Sequence, residues 1–182
     1  MEDFTKTIQN ERLILRKFEM SDANDMFENY CKFEEVARYV CWKAHEDVEC
    51  TKKYLANVVL PEYRNNFTYR WAIVLKEINQ VIGCIDVVKK DMNAKSAEIG
   101  YVLGKNFWGQ GIMPEAGKAV ISYLFEQGFV RIWAVHDIEN PKSGRVMQKL
   151  GMQKEGTLRR YALRCDGHLS DCDIYSIIKE GY

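Results

Sequence analysis

The sequence predicts an α+β domain, built on a mixed, mostly antiparallel central sheet flanked by helices. Three observations lead there. Two pairs of β-rich runs, within 69–90 and 157–178, are each joined by a short polar turn and read as antiparallel hairpins. Two stretches before residue 64 carry apolar residues at helical spacing. Between 96 and 151, strand-like and helix-like runs alternate as a β-α-β-α core.

Taken in order, "RLILRKF" (12–18) is a first strand and "SDANDMFENYCKF" (21–33) a helix capped by Ser21 or Asp22, with Ala23, Met26, Phe27 and Tyr30 on one face. "HEDVECTKKYLANVVLPEY" is a second helix, with Val48, Tyr54, Leu55 and Val58 inward and a break at Pro61. Strands follow at 69–76, 80–90 and 96–104, and then a helix from Pro114 to about 127. Its Ala116, Ala119, Val120, Tyr123, Leu124 and Phe125 form a broad apolar stripe. After a strand at 130–137, "NPKSGRVMQKLG" is a short helix with Asn140 as N-cap, Pro141 at the first position and Gly151 as its stop. Strands near 157–164 and 169–178 turn at Asp166-Gly167.

No linker, repeat or low-complexity stretch divides the chain, so one domain over 1–182 is expected. Lys+Arg and Asp+Glu both number 26, which leaves no global basic field to recruit nucleic acid or an anionic membrane. Cysteines at 31, 41, 50, 84, 165 and 172 include no C-x-x-C pair, which argues against a metal site and for a reducing compartment. No stretch approaches the roughly 20 apolar residues of a membrane span. A soluble cytoplasmic protein is the expectation.

The glycine-rich "GKNFWGQGIMPEA" (104–116) precedes a helix, and a helix N-terminus suits an anion. Gly104 and Gly109 have P-loop spacing, but Gln110 and Gly111 stand where Lys and Ser/Thr belong. Gly109-x-Gly111 opens a dinucleotide fingerprint, and Pro114 occupies the place of its third glycine.

A third pattern fits. "EIGYVL" (98–103), "FWGQGIMPEA" (107–116) and "ENPKSGRVMQKLGM" (139–152), in this order, resemble the GCN5-related N-acetyltransferases (GNAT), and most closely their Rim-type branch of ribosomal-protein N-terminal acetyltransferases. "ERLILRKFEMSDA" and "DGHLSDCDIYSIIKEGY" look like that branch too, so the resemblance spans nearly the whole chain. The family's loop pattern is Arg/Gln-x-x-Gly-x-Gly/Ala. Here Trp108 stands first, as is common in the branch, and Met113 stands last, where a larger side chain bears on the fit around the phosphates.

The resemblance implies a GNAT fold, acetyl-CoA as cosubstrate and direct acetyl transfer to an amine. It assigns the pyrophosphate to the backbone at Trp108, Gly109, Gln110, Gly111, Ile112 and Met113, and the pantetheine arm to the strand edge at Tyr101, Val102 and Leu103. It makes Glu98 the general base, against the reading of a merely solvated carboxylate. Ser143 would assist the leaving thiolate, and Asn140 would touch the coenzyme besides capping its helix. His136 is a weaker acid/base candidate. Trp42, His45, Tyr69 and Trp71 could line the acceptor site or belong to the core, and Asp171 and Asp173 could recognise an amine. The acceptor is a protein N-terminal α-amine or a small-molecule amine. The alternative is a non-catalytic acyl-CoA sensor. A homodimer is left open.

Overall fold

The computed structural model describes residues 4–64 and 68–181. Its strands are β1 (Ile8–Gln9), β2 (Leu13–Arg16), β3 (Arg70–Leu75), β4 (Gln80–Asp91), β5 (Ser96–Leu103), β6 (Arg131–Asp137), β7 (Gln153–Leu163) and β8 (Leu169–Ile178). Its α-helices are α1 (Ala23–Met26), α2 (Glu34–Ala37), α3 (Val48–Tyr54), α4 (Leu60–Glu62), α5 (Ile112–Glu126) and α6 (Pro141–Lys149). The strands form one eight-stranded sheet in the order β1-β2-β3-β4-β5-β6-β8-β7. β5 and β6 run parallel, whereas β1–β2, β2–β3, β3–β4, β6–β8 and β7–β8 run antiparallel. This is the mixed, mostly antiparallel α+β sheet the sequence predicts.

The chain forms two compact units. One comprises Met1–Ala37, Lys43–Asp86 and Tyr101–Ile112; the other comprises Arg38–Trp42, Val87–Gly100 and Met113–Tyr182. In the first, β2 alternates buried Leu13 and Leu15 with half-exposed Ile14 and Arg16, the period of a strand with one covered face. β3 is buried from Trp71 to Leu75, which is why its sequence reads as a continuous apolar run. Arg16 grips Asp22 with two hydrogen bonds of 2.8 and 2.7 Å, and Asp22 also accepts the Glu19 N–H, fixing the entry to α1.

The second helical stretch differs from the expected pattern. A π turn at Leu55–Val59 joins α3 to α4, so Pro61 lies inside the final helical turn rather than breaking the helix. The buried row is Thr51, Leu55 and Val59, while Tyr54 and Val58 are 36% and 42% exposed. The inward row runs at a spacing of four through the π turn, and Tyr54 and Val58 lie beside it rather than in it.

In the second unit, α5 buries Ala116, Val120 and Leu124, four residues apart. It starts at Ile112, so Pro114 holds the third helical position, not the first; an N–H missing from the first turn still breaks no intrahelical bond. β6 alternates buried Ile132, Ala134 and His136 with half-exposed Arg131, Trp133 and Val135. β7 begins at Gln153, four residues before the expected 157, and meets β8 across Gly167 at φ +85°, with Asp166 Oδ1 accepting the His168 N–H.

Gly104, in the first unit, shows a packing constraint. A Cβ there would lie 2.3 Å from the Asn29 carbonyl oxygen, in rigid backbone. Gly104→Ala is therefore expected to cost about 1–3 kcal/mol of stability, measured by urea unfolding, although its φ of −56° suits any residue.

Candidate active site

The glycine turn lies in the first unit. Gly109 and Gly111 have φ of +79° and +75°, so both use the left-handed region open to glycine. A Cβ on Gly109 would meet nothing within 4 Å, so that side of the turn is open to a ligand. The turn is anchored on both sides: Gln110 Nε2 donates to the Asn106 carbonyl at 2.9 Å, and Arg12 Nη1 donates to the Gln110 carbonyl at 3.0 Å. Trp108 spends its indole N–H on the Leu103 carbonyl at 2.7 Å, tying the turn to the end of β5. Ile112 and Met113 bury their side chains, at 1% and 3% exposure. The bulk of Met113 is thus turned inward, and what the turn presents is backbone. The first N–H groups of α5 have no intrahelical acceptor, which suits them to an anion.

Glu98 lies in the second unit, on β5. The parallel ladder pairs Ser96, Ala97 and Glu98 with Arg131, Ile132 and Trp133. Among the described pairs it stops there; Ile99 and Gly100 have no partner on β6, although β6 continues paired to β8 as far as Asp137↔Cys172. Glu98 thus stands on the last rung, 5% exposed, and its Oε2 is buried without a hydrogen-bond donor. Lys89 Nζ comes to 3.4 Å from Oε2, an ion-pair contact that makes no hydrogen bond. Burial pushes the Glu98 carboxyl above its ordinary value, and Lys89 only partly opposes that. The solvated-carboxylate reading is excluded.

The same unit holds the β6–α6 connection. Asn140 caps α6 through Oδ1 to the Ser143 N–H at 3.4 Å, as its sequence context predicts. The turn before it is held by Asp137, which accepts the Glu139 N–H at 2.9 Å and Arg164 Nε at 2.7 Å. Burial alone would raise the Asp137 carboxyl, but these donors reverse it and hold it below its ordinary value. Ser143 is half-exposed on the first turn of α6. His136 is 8% exposed and donates through Nδ1 to the Asp137 carbonyl at 2.8 Å, while Gly144 packs so closely that a Cβ there would lie 2.6 Å from Nε2. His136 serves as packing beneath α6 rather than as an accessible acid/base.

Other candidates fall elsewhere. Trp71 is fully buried with its ring N–H on the Lys6 carbonyl, and Tyr69 is 3% exposed against it, so both are core of the first unit. His45 is held by Thr51 Oγ1 at 2.7 Å, and desolvation lowers its pKa. Trp42 is half-exposed in the second unit. Asp173 is engaged by Lys154 and Thr157, and Asp171 by the Arg160 N–H. Arg12 on the glycine turn, and Lys89, Trp133 and Tyr161 around Glu98, escaped the sequence reading. Trp133 had one usable signal, its place opposite Glu98 once the two strands are set parallel.

The Asp137–Arg164 pair gives a test of how the β6–α6 turn is held. Its side chains are 3% and 8% exposed, and Arg164 keeps Glu139 at 2.8 Å, so Asp137→Asn would remove one of two carboxylate partners and is expected to cost about 1–3 kcal/mol at pH 7. Because the folded carboxyl titrates below its unfolded value, that contribution is present above about pH 4 and fades as pH falls through the folded value. Urea unfolding of both proteins across pH 2–7 is expected to show the gap closing toward acid.

The acetyltransferase (GNAT) domain family matches residues 12–153. The chain is 36% identical over 180 residues to an uncharacterized N-acetyltransferase, p20, of Bacillus licheniformis, covering 97% of this chain and 98% of that one. It is 26% identical over 178 residues to the ribosomal-protein-serine acetyltransferase of Escherichia coli, covering 96% and 97%. The crystal structure of a GNAT-family acetyltransferase from Bacillus anthracis superposes with a TM-score of 0.81 at 28% identity, over 95% of this chain and 98% of that one. A family match over most of the chain and near full-length relatives agree with the sheet order and the motif positions: the chain is an N-acetyltransferase of the GNAT family, in its Rim-type branch.

Proposed function

We propose that the chain transfers the acetyl group of acetyl-CoA to the free α-amine of a protein N-terminus, with Glu98 as general base. The observation that carries this reading is the buried Glu98 carboxylate, which lacks a hydrogen-bond donor at Oε2 and has its pKa raised by burial. An α-ammonium loses its proton near pH 8, so a base closer to neutrality than an ordinary carboxylate is better matched to take it. Glu98 takes the first proton from the α-ammonium, the freed amine attacks the thioester carbonyl and the C–S bond breaks. The coenzyme leaves as its thiolate and takes the nitrogen's second proton, giving the amide and CoA thiol.

The backbone of Gly109, Gln110, Gly111, Ile112 and Met113 would hold the pyrophosphate, with positive-φ glycines and an open approach in its favour. Tyr101 and Val102 would meet the pantetheine amides; the Leu103 carbonyl already serves Trp108. Ser143 and Asn140, on the first turn and cap of α6, would stabilise the leaving thiolate by hydrogen bonding. Transfer is direct. Burial raises Cys31 to about 12 and pushes up Cys84 and Cys172, which makes each a poor thiolate nucleophile. The acceptor class follows the E. coli relative, named for acetylating a ribosomal-protein serine. A small-molecule amine acceptor is the competing outcome.

The test is release of CoA thiol from acetyl-CoA with peptides beginning with free Ser or Ala, run beside polyamines, aminoglycosides and free amino acids. Turnover is expected on the peptides, and Glu98→Gln is expected to lower it by ~10²–10⁴-fold while acetyl-CoA still binds. Turnover on small amines alone would overturn the acceptor class. Full activity in Glu98→Gln would overturn the base.

The pH dependence has a definite sign. The rate is expected to rise with pH through a value above the ordinary ~4.3 of a glutamate, and Glu98→Gln should lose that limb. Since the folded carboxyl titrates above its unfolded value, its ionisation opposes folding fully above the folded pKa and not at all below the unfolded one. Glu98→Gln should therefore raise the melting temperature at pH 7 and give a smaller gain at pH 4.

A further inference from the structure

The acceptor's ammonium needs a seat beside Glu98, and the second unit holds a group that already sits in one. Lys89 Nζ donates to Tyr161 Oη at 2.9 Å and lies 3.4 Å from Glu98 Oε2. It also stands 5.2 Å from the centroid of the Tyr161 ring and 5.9 Å from that of Trp133. One carboxylate oxygen, one phenol oxygen and the ring of Trp133 thus converge on a single ammonium.

As a stabilising ion pair this arrangement is poor. Lys89 is 63% exposed at its side chain and Glu98 only 7%. An exposed lysine gains little from such a pair, while the carboxylate remains desolvated with an oxygen that no donor satisfies. An aromatic ring and a phenol oxygen that meet a cation, next to a buried and incompletely satisfied carboxylate, make a good recognition site for a compact ammonium. The exposed stem of Lys89 lets its head leave without disturbing the core.

We infer that Glu98, Tyr161 and Trp133 form an ammonium-binding subsite for the acceptor, and that Lys89 is its resident stand-in, displaced when a primary ammonium enters. This rests on the reading of Glu98 as the acceptor-facing base. Tyr161 and Trp133 touch the incoming ammonium through an oxygen and a ring face, and Glu98 then removes its proton. The subsite selects a primary ammonium because three N–H donors fit two oxygens with room for the reacting lone pair, once formed.

The probe is propylammonium chloride, titrated into the full chain with 13C-labelled lysine side chains, against sodium chloride at equal ionic strength. The Lys89 ε-methylene signal, assigned through its loss in Lys89→Arg, is expected to start displaced by the two ring currents. With propylammonium alone it should move saturably toward the position of an exposed lysine. Trp133→Leu is expected to weaken that titration by roughly 2- to 30-fold. Tyr161→Phe, which removes one oxygen and keeps the ring, should weaken it too and covers the case in which Trp133→Leu fails to fold. An equal response to sodium, or an unchanged midpoint in Tyr161→Phe, would overturn the subsite. No turnover enters this readout, so its failure is distinct from a failure of the Glu98→Gln activity test.

Discussion

The rung that pairs Glu98 with Trp133 is the last one in the parallel ladder between β5 and β6, and the chemistry of the second unit depends on it. Below it, backbone pairing fixes the strand; past it, Ile99 and Gly100 have no partner on β6 among the described pairs. β6 itself keeps its partner β8 on the other side over its whole length, so it remains a fixed support. A side chain at such a point is held by a paired strand and yet faces a place where the ladder no longer fills the space. On the proposed reading, that combination would give a base both a defined position and a neighbouring gap in the ladder.

The glycine turn of the first unit solves a different problem. Its three glycines answer to two constraints. Gly104 is small because the Asn29 carbonyl leaves no room for a Cβ, whereas Gly109 and Gly111 are glycine because their φ is positive. Side chains then anchor the turn from outside: Arg12 and Gln110 by hydrogen bonds to carbonyls, Trp108 by its indole N–H. Carbonyl groups are used up inside the turn while amide N–H groups at the helix start are left for a ligand. An anion site of the kind proposed here would depend on backbone direction, which Trp108 and the inward-turned Met113 leave in place.

Where sequence pattern maps directly onto local backbone, it was legible. Asn140-Pro141 announced α6, Asp166-Gly167 announced the β7–β8 turn, and the alternation in β2 and the apolar run in β3 gave strands within one or two residues. What it missed depends on tertiary geometry. The π turn at Leu55–Val59 is marked by no residue of the sequence, and Tyr54 and Val58 lie beside the buried row rather than in it. Burial of Trp71 and Tyr69 as core, rather than as pocket lining, follows from β3 being covered on both faces, which period-two reading of one strand does not reveal. Lys89 and Tyr161 are 72 positions apart and meet because the end of β4 from Val87 and the β7–β8 hairpin belong to one unit. Glu98 was found by motif, but its burial and missing donor belong to the folded chain.

The second unit holds two buried carboxylates with opposite fates, and their contrast assigns their roles. Asp137 is as little exposed as Glu98, 5% each, and is held below its ordinary value because the Glu139 N–H and the Arg164 guanidinium meet its oxygens. Glu98 has one oblique cation and no donor at Oε2, so burial wins and its carboxyl is raised. A carboxylate fully met by donors cannot take a proton at useful pH; it can only anchor, and Asp137 anchors the turn that carries Asn140 and Ser143. One left short of donors is costly to bury and ready to accept a proton. The two side chains differ by a methylene, and what separates an anchor from a base is the number of donors each neighbour supplies.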